Sequence, residues 1–286
     1  MVKTIGNPLT WTVHAAGSVG GHMADATLRM GGSVRSEPVI RKLTYADLMT
    51  SLREGMDDFA AMRSDVVFVV LFYPLIGALM AWMAMNNSMV PYIFPLASGF
   101  ALVGPFAATG LYEMSRRREA GLPTNWRHAF DPLRSPSFAP ILGLGLYLGG
   151  IFLAWMITAG IIYHLTLGAV PGHETGSFLS DAANTEAGFT MGAIGILVGA
   201  VYAAVVLAIS VVSFPLLVDR DIGLPMAVAT SLRVTRQNPG PVLAWGVIVA
   251  ALLVIGSLPF FLGLIVVMPV LGHASWHLYR KAIAPL

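Results

Sequence analysis

Long apolar runs without charge alternate with shorter polar segments along most of this chain. Four such runs lie at about 66–85, 90–111, 138–167 and 188–218, and a fifth extends over 242–279. A helix of about 20 apolar residues crosses the hydrocarbon core of a bilayer. The pattern therefore predicts an all-α membrane protein.

The last apolar run is too long for one crossing. As a single helix it would measure about 57 Å, nearly twice the thickness of the hydrocarbon core. Gly256-Ser257-Leu258-Pro259 lies at its middle, and proline both removes a helical hydrogen bond and restricts the residue before it. We therefore predict two spans here, at 242–257 and 260–279, and six transmembrane helices in all.

The distribution of positive charge predicts the orientation of these spans. All 17 Lys and Arg residues lie before the first span, after the second, after the fourth and after the sixth. Cytoplasmic loops carry the Lys and Arg excess in membrane proteins. Six spans place every one of them on one side, whereas five would leave Arg280 and Lys281 on the other. The prediction is a bacterial inner-membrane protein with both termini in the cytoplasm.

The loop predicted on the opposite side is acidic. Segment 168–187 carries Glu174, Asp181 and Glu186 and no Lys or Arg. Two interpretations stay open for it: ordinary solubility, or a docking face for a basic partner.

Two regions are predicted along the chain. Residues 1–38 are rich in glycine, serine and threonine and have little to bury, which is typical of a disordered tail. They also lack the apolar core of a cleavable signal peptide, so the first span is expected to direct insertion. Residues 39–286 are predicted to form a single six-span membrane domain.

Short repeated motifs indicate an internal triplication. Gly121-Leu122-Pro123 follows the second span and Gly223-Leu224-Pro225 follows the fourth, and each precedes a short amphipathic stretch. The stretch before the first span, Thr50–Arg53, has the same sequence as Thr230–Arg233. Repeats of this kind are the signature of repeated structural units. We predict three membrane hairpins, each preceded by a short cytoplasmic amphipathic helix.

In the first of these amphipathic helices, one side is predicted to be apolar and to lie on the cytoplasmic leaflet. That side comprises Leu43, Ala46, Leu48, Met49 and Leu52.

The amino-acid composition limits the kinds of site and partner that this chain can have. Hydrophobic residues make up 56% of the chain and charged residues 11%, against about 25% charged in soluble domains. The chain has no cysteine, which excludes disulfides and thiol chemistry, and its net charge of +2 does not suit nucleic acid. The expected partners are the lipid bilayer and a membrane protein, or a second copy of this chain.

Few side chains suggest catalysis. No Asp, Glu, Lys or Arg lies in the central part of a predicted span, which counts against ion-coupled transport and proton pumping. His273 and His277 are four residues apart on one helical face, so they are candidate metal ligands. Beside Trp276 and Tyr279, they also fit an aromatic anchor at the headgroups. We predict no catalytic residue and no cofactor.

Small residues predict close helix packing. Gly145 with Gly149 and Gly195 with Gly199 form small-xxx-small pairs, which let helix backbones approach closely. The two pairs are predicted at different depths in the membrane, so they cannot pack on each other. Each pair therefore needs to pack on another helix of the bundle or on a partner chain.

Three runs of sequence resemble a proteobacterial family of uncharacterised integral membrane proteins. They are Leu43–Leu48 continuing through Gly55–Phe59, Gly104–Phe106 with Gly110–Glu113, and His273–Arg280. The family is a domain of unknown function, so the resemblance implies a membrane protein and no catalytic residue. Its relatives are sometimes labelled cytochrome c oxidase subunit I. A catalytic oxidase subunit needs several haem- and copper-ligating histidines, which these spans do not supply; an association with a respiratory complex stays open.

Three functions are compatible with the sequence. The leading prediction is a non-enzymatic accessory, scaffold or assembly component of a larger membrane complex, for which a respiratory complex is one option. The alternative is a channel or permease for a small neutral or lipophilic solute. A haem- or metal-dependent oxidoreductase using His273 and His277 is the third. The permease would need one continuous path lined by Asn86, Ser98, Thr109, Thr158 and Ser210.

Overall fold

The computed structural model describes residues 31–32, 37–62, 79, 82–83, 85, 87–170, 178–258 and 262–285. The predicted disordered tail and the predicted first span, 66–85, lie largely outside these ranges. So does Asn86, one of the residues proposed for a permease path.

Within the described ranges the chain is helical, as predicted. The helices of the first half are α1 (Tyr45–Ala61), α2 (Ile93–Ala107), α3 (Thr109–Glu119) and α4 (Phe138–Leu165). Those of the second half are α5 (Phe178–Asn184), α6 (Glu186–Ser210), α7 (Ser213–Asp219), α8 (Leu224–Gln237), α9 (Pro239–Ser257) and α10 (Leu264–Ala282). Three 3-10 helices lie between them, at Asn87–Tyr92, Trp126–Arg134 and Leu167–Ala169.

Local sequence explains several of the helix ends. Thr44 and Asp47 form a reciprocal capping box at the start of α1, in which each side chain bonds the other residue's backbone N–H. Gly121 after α3 and Gly223 before α8 have φ of 67° and 74°, a conformation that favours glycine. The two repeated Gly-Leu-Pro motifs thus begin with the same backbone geometry.

Among the described residues, three helical stretches are long and apolar enough to cross a membrane. They are α4, the 34-residue stretch of α6 with α7, and α9, in agreement with the predicted spans at 138–167, 188–218 and 242–257. A bent pair at Met89–Gly99 and Ala101–Ala107 would add a fourth if it is one span. The stretch predicted as the last span forms α10, whose second half carries charged and aromatic residues.

The outer surfaces of these helices are apolar and uncovered. Only 17% to 22% of their most apolar windows is buried inside the chain. Contiguous apolar surface of that extent is not tolerated in water, so a lipid bilayer or other membrane helices must cover it.

At one end of these helices lies a more tightly packed layer, here called the cap. It consists of α1, α3, α7, α8 and the second half of α10. Its fully buried side chains include Phe214, Leu217, Trp276 and Tyr279. Burial therefore concentrates in the cap, which includes the α7 end of the α6–α7 stretch, rather than in the most apolar parts of the spans.

The two ends of the described chain meet beside the cap. Ile40 and Ile283 form an antiparallel bridge. Arg41 donates its N–H to the carbonyl of Ala282 at 2.8 Å, and Ala284 donates to the carbonyl of Val39 at 2.9 Å. The segment before α1 and the segment after α10 are thereby held together.

The three predicted amphipathic elements differ in form. The first is α1 and the third is α8, both α-helices. The second, Trp126–Arg134, is a 3-10 helix with Pro132 inside it, because proline removes a helical donor and disfavours the α conformation before it.

Candidate functional site

Helix α1 packs on α10 through a face of small and polar residues. Leu48, Ser51, Gly55 and Asp58 are buried, and their spacing places them on one side of the helix. A Cβ added at Gly55 would lie 2.6 Å from the backbone nitrogen of Ala274, so the two backbones are nearly in contact. Of the side predicted to be apolar, Leu43 and Leu48 are buried within the chain, whereas Ala46 and Met49 are exposed.

Asp58 is the centre of the polar contacts between these helices. Only 5% of the residue is exposed. One carboxylate oxygen accepts from Arg118 Nη1 at 2.5 Å. The other accepts from Ser115 Oγ at 2.5 Å and contacts His277 Nε2 at 2.9 Å. One carboxylate on α1 thus binds α3 twice and α10 once.

The contacts of Asp58 determine how the two histidines are protonated. Ser115 Oγ lies 2.8 Å from Nδ1 of His273. Since the Ser115 hydroxyl gives its single proton to Asp58, it must accept from His273, whose Nδ1 therefore carries the hydrogen. By the same reasoning Nε2 of His277 carries one. We call Asp58, Ser115, Arg118, His273 and His277 the Asp58 cluster.

The charge of Asp58 is stabilised by its partners. Burial raises the pKa of Asp58. The hydrogen bonds from His277 and Ser115, together with the positive potential of the neighbouring histidines, lower the pKa by more than burial raises it. The pKa therefore lies below the ordinary value for aspartate. The carboxylate is ionised at neutral pH and can hold all its donors.

A second set of contacts joins α10 to the ends of α3 and α7. Glu119 accepts from Trp276 Nε1 and from Arg280 Nε, each at 2.9 Å. Asp219 accepts from the Tyr279 hydroxyl at 2.5 Å and lies 3.5 Å from Arg280 Nη1. We call these five residues the Asp219 cluster. It ties three helix ends, far apart in sequence, into one unit.

The candidate metal ligands are used in these contacts. His273 is fully buried and bonds Ser115, and His277 bonds Asp58 and lies 3.5 Å from Glu54. In the described ranges no group of three or more His, Asp or Glu side chains is arranged to hold a metal. The alternative interpretation as an anchor at the headgroups was wrong: Trp276 and Tyr279 are buried inside the cap, because α1, α3 and α7 surround them.

The four packing glycines divide into two kinds. A Cβ at Gly145 would lie 2.5 Å from the ring of Phe106, and one at Gly199 would lie 3.2 Å from the ring of Trp155. Gly149 and Gly195 have open space where a Cβ would be. Each predicted pair therefore has one glycine packed within the chain and one facing outward.

Other polar residues have local partners. Glu113 forms two hydrogen bonds of 2.7 Å with Arg116, a pairing with its own helix. His164 at the end of α4 lies 3.5 Å from the hydroxyl of Tyr92.

Sequence reasoning missed Asp58, Ser115 and Arg118. A signal was present, because Ser51, Gly55 and Asp58 recur at helical spacing on one side of an otherwise amphipathic helix. Parts of the three runs that carried the family resemblance also meet at this place, since Gly55–Phe59 lies in α1, Gly110–Glu113 in α3 and His273–Arg280 in α10. Their convergence is visible only once the helices are packed.

Comparison with known proteins agrees with the membrane assignment. Residues 93–219 match the family model described as "Predicted integral membrane protein (DUF2189)". The matched stretch runs from α2 to α7 and includes Ser115, Arg118, Glu119 and Asp219. No curated protein and no solved structure matches the chain. The comparisons therefore support an integral membrane protein of an uncharacterised kind.

Proposed function

We propose that this chain is a non-enzymatic scaffold, accessory or assembly component of a larger complex in the bacterial inner membrane. The observation that carries the proposal is that the polar groups of this chain form hydrogen bonds and ion pairs within the chain. The Asp58 and Asp219 clusters bind helix ends of the chain to one another. Several hydroxyls of the apolar helices donate to carbonyls of their own helix, and Thr158 also contacts the hydroxyl of Tyr202 on α6 at 2.9 Å.

The hydroxyls proposed for a permease path have local acceptors. Thr158 donates to the carbonyl of Ala154 at 2.8 Å, and Ser210 donates to that of Val206 at 2.7 Å. Ser98 and Thr109 likewise bond carbonyls three residues before them, at 3.1 and 2.6 Å. A hydroxyl that donates its proton to its own helix does not have that proton free to donate to a solute. These bonds count against the channel or permease.

Contacts between helix ends support six spans in three hairpins. Two segments in direct contact in the cap lie on the same side of the membrane, so the chain crosses an even number of times between them. Asp58 with Arg118, Glu119 with Arg280, and Asp219 with Arg280 give such contacts. They separate the predicted spans into three pairs. The bridge between Ile40 and Ile283 supports an even total number of membrane crossings.

The shared geometry of the repeated motifs supports a triplication. Both Gly121 and Gly223 have positive φ, and each follows a helix, α3 or α7, that is set off from the preceding apolar helix by a break. The positive charge of the segments joined in the cap supports a cytoplasmic position for both termini.

The topology can be tested directly because the chain has no cysteine. Single cysteines at Asn184, the last residue of α5, and at Arg236, near the end of α8, should lie on opposite sides of the membrane. A membrane-impermeant maleimide added to whole spheroplasts should label Asn184→Cys only, and lysis should expose Arg236→Cys. Labelling of both from outside would contradict the proposed orientation.

The scaffold role can be tested at the outward-facing glycines. Leucine at Gly149 and Gly195 should disturb a contact with another membrane protein without a clash inside the chain, because open space surrounds both positions. We expect the double variant to fold and to lose its partners in native-gel sizing with mass spectrometry after mild-detergent purification. The loss should be tenfold or more, corresponding to about 1.4 kcal/mol of binding free energy.

Gly104→Leu provides the matched control. It makes the same change on α2, also in open space, and should leave the partners bound. If the wild type purifies without any partner, the scaffold role is wrong and solute flux in liposomes becomes the next measurement. A respiratory complex in the preparation would identify the kind of assembly.

A further inference from the structure

One side of α1 is apolar and uncovered. Tyr45, Met49 and Met56 each expose between 46% and 63% of their surface. With the half-buried Leu52 and Phe59 they follow one another at helical spacing. This stripe lies beside the face that packs on α10.

The 3-10 helix Trp126–Arg134 also has a buried side and an exposed apolar side. Its inner side is buried through Ala129 and Pro132. Its outer side carries Trp126, Phe130 and Leu133, each between 41% and 55% exposed. Two separate elements, α1 in the cap and this 3-10 helix, thus present aromatic and aliphatic side chains outward.

Both elements lie where spans begin. Leu43, just before α1, donates to Asn238 at the start of α9 at 2.8 Å. A Cβ at Gly240 would lie 2.8 Å from the hydroxyl of Tyr45. The 3-10 helix ends at Arg134, directly before α4. The exposed stripes are therefore at the level where the apolar helices enter the membrane.

Packing also joins the two elements to each other. Met62 after α1, Met114 on α3 and Ala129 of the 3-10 helix form one small buried cluster. The elements therefore hold a defined arrangement around α3 and present their stripes from one rigid layer.

Exposed arginines lie beside both stripes. On α1 the exposed Asp57 follows Arg53 by one turn, so net positive charge is confined to the 3-10 helix. Arg53 is exposed on α1, and Arg127 and Arg134 are exposed on the 3-10 helix. The guanidinium of Arg127 lies 5.7 Å from the ring centre of Trp126. Asp131, the one acidic residue of that helix, pairs with Arg117 at 3.4 Å. The outward side of the 3-10 helix is left positive.

We propose that these two stripes form a binding surface for anionic phospholipids. Aromatic and aliphatic side chains beside arginines are the composition of helices that lie in the headgroup layer. The apolar side chains enter the boundary of the acyl chains, and Arg53, Arg127 and Arg134 bind lipid phosphate. The surface holds the cap against the bilayer, a property that does not depend on the scaffold role.

Retention of lipid by the purified protein tests whether the exposed arginines bind anionic phospholipid. The full chain is reconstituted in vesicles of phosphatidylcholine with an equal part of phosphatidylglycerol, extracted in mild detergent and examined by native mass spectrometry. Wild type should retain phosphatidylglycerol in preference to phosphatidylcholine. Replacing Arg127 and Arg134 with Gln should weaken retention by about fivefold for each arginine.

Arg236→Gln is the matched control, an exposed arginine on α8 without an apolar stripe beside it. It should retain lipid as the wild type does. Equal losses from the control and the test variants, or no preference for phosphatidylglycerol in the wild type, would overturn the proposal.

Spin labels test the apolar contacts. Labelled single cysteines at Met49 and Leu133 should collide with lipid-soluble oxygen in the phosphatidylglycerol vesicles, whereas a label at the exposed Asp57 should collide with a water-soluble nickel complex. Water-exposed labels at all three positions would overturn the proposal. Labels at 49 and 133 shielded from both agents would do so too, because they would indicate a covering protein or a second copy.

Discussion

Replacement of Asp58 by alanine should destabilise the protein more than any other single loss of charge in the cap. The carboxylate is the shared acceptor of Arg118, Ser115 and His277. Removing one partner of a buried ionic contact leaves the others without compensation, which costs about 3–5 kcal/mol. Because the Arg118 side chain is 40% exposed, we expect the lower end, about 3 kcal/mol. Thermal unfolding in detergent would measure it.

The neighbouring aspartate is the control. Asp57 is exposed on α1, so Asp57→Ala should change the free energy of unfolding by no more than about 0.5 kcal/mol. Equal effects of the two substitutions would mean that the Asp58 contacts do not hold the cap together.

Lowering the pH should destabilise the protein in the same way as Asp58→Ala. The pKa of Asp58 is lower in the folded protein than its ordinary value, so its contribution is fully present above the ordinary aspartate pKa, about 4. It is lost as the pH falls through the lowered value. The difference in stability between wild type and Asp58→Ala should therefore shrink in strongly acidic buffer.

Replacement of Gly55 by leucine should separate α1 from α10. A Cβ at this position would meet the backbone nitrogen and Cα of Ala274 at 2.6 and 2.8 Å. Backbone atoms in a helix cannot move aside as the end of a side chain can. Overpacking of this kind costs about 1–3 kcal/mol, and we expect the upper end because Asp58 is then pulled from its donors.

Limited proteolysis together with thermal unfolding would detect the separation. Cleavage within α1 should become faster in Gly55→Leu, and the chain from α2 onward should stay resistant. Gly104→Leu, in open space on α2, should leave both measurements near the wild-type values. Wild-type protease resistance in Gly55→Leu would contradict the close packing of the two helices.

Much of the architecture could be predicted because membrane insertion depends on local sequence. The runs that became α4, α6 and α9 were visible as uncharged stretches, since each residue contributes to transfer into lipid largely by itself. The start of α1 was also predictable from the polar Thr44 and Asp47. In Trp126–Arg134 the predicted amphipathic character is present, but Pro132 favours a 3-10 helix.

The site was less accessible to sequence reasoning because its members lie on three helices. Asp58 is separated from Ser115 by 57 positions and from His277 by 219. His273 and His277 were noticed for their spacing, but that spacing alone does not reveal a carboxylate and a serine beside them. For the same reason the pairs Gly145–Gly149 and Gly195–Gly199 did not show which member faces outward.

The sequence by itself determined that this protein is helical and belongs in a membrane, because hydrophobicity acts residue by residue along the chain. It also predicts that the positive charge lies on one side of the spans. Only the tertiary structure decided that Asp58 lies buried between α1, α3 and α10, and that Trp276 and Tyr279 lie inside the cap rather than in the headgroups. Those outcomes depend on which surfaces of distant helices meet, and no local pattern contains that information.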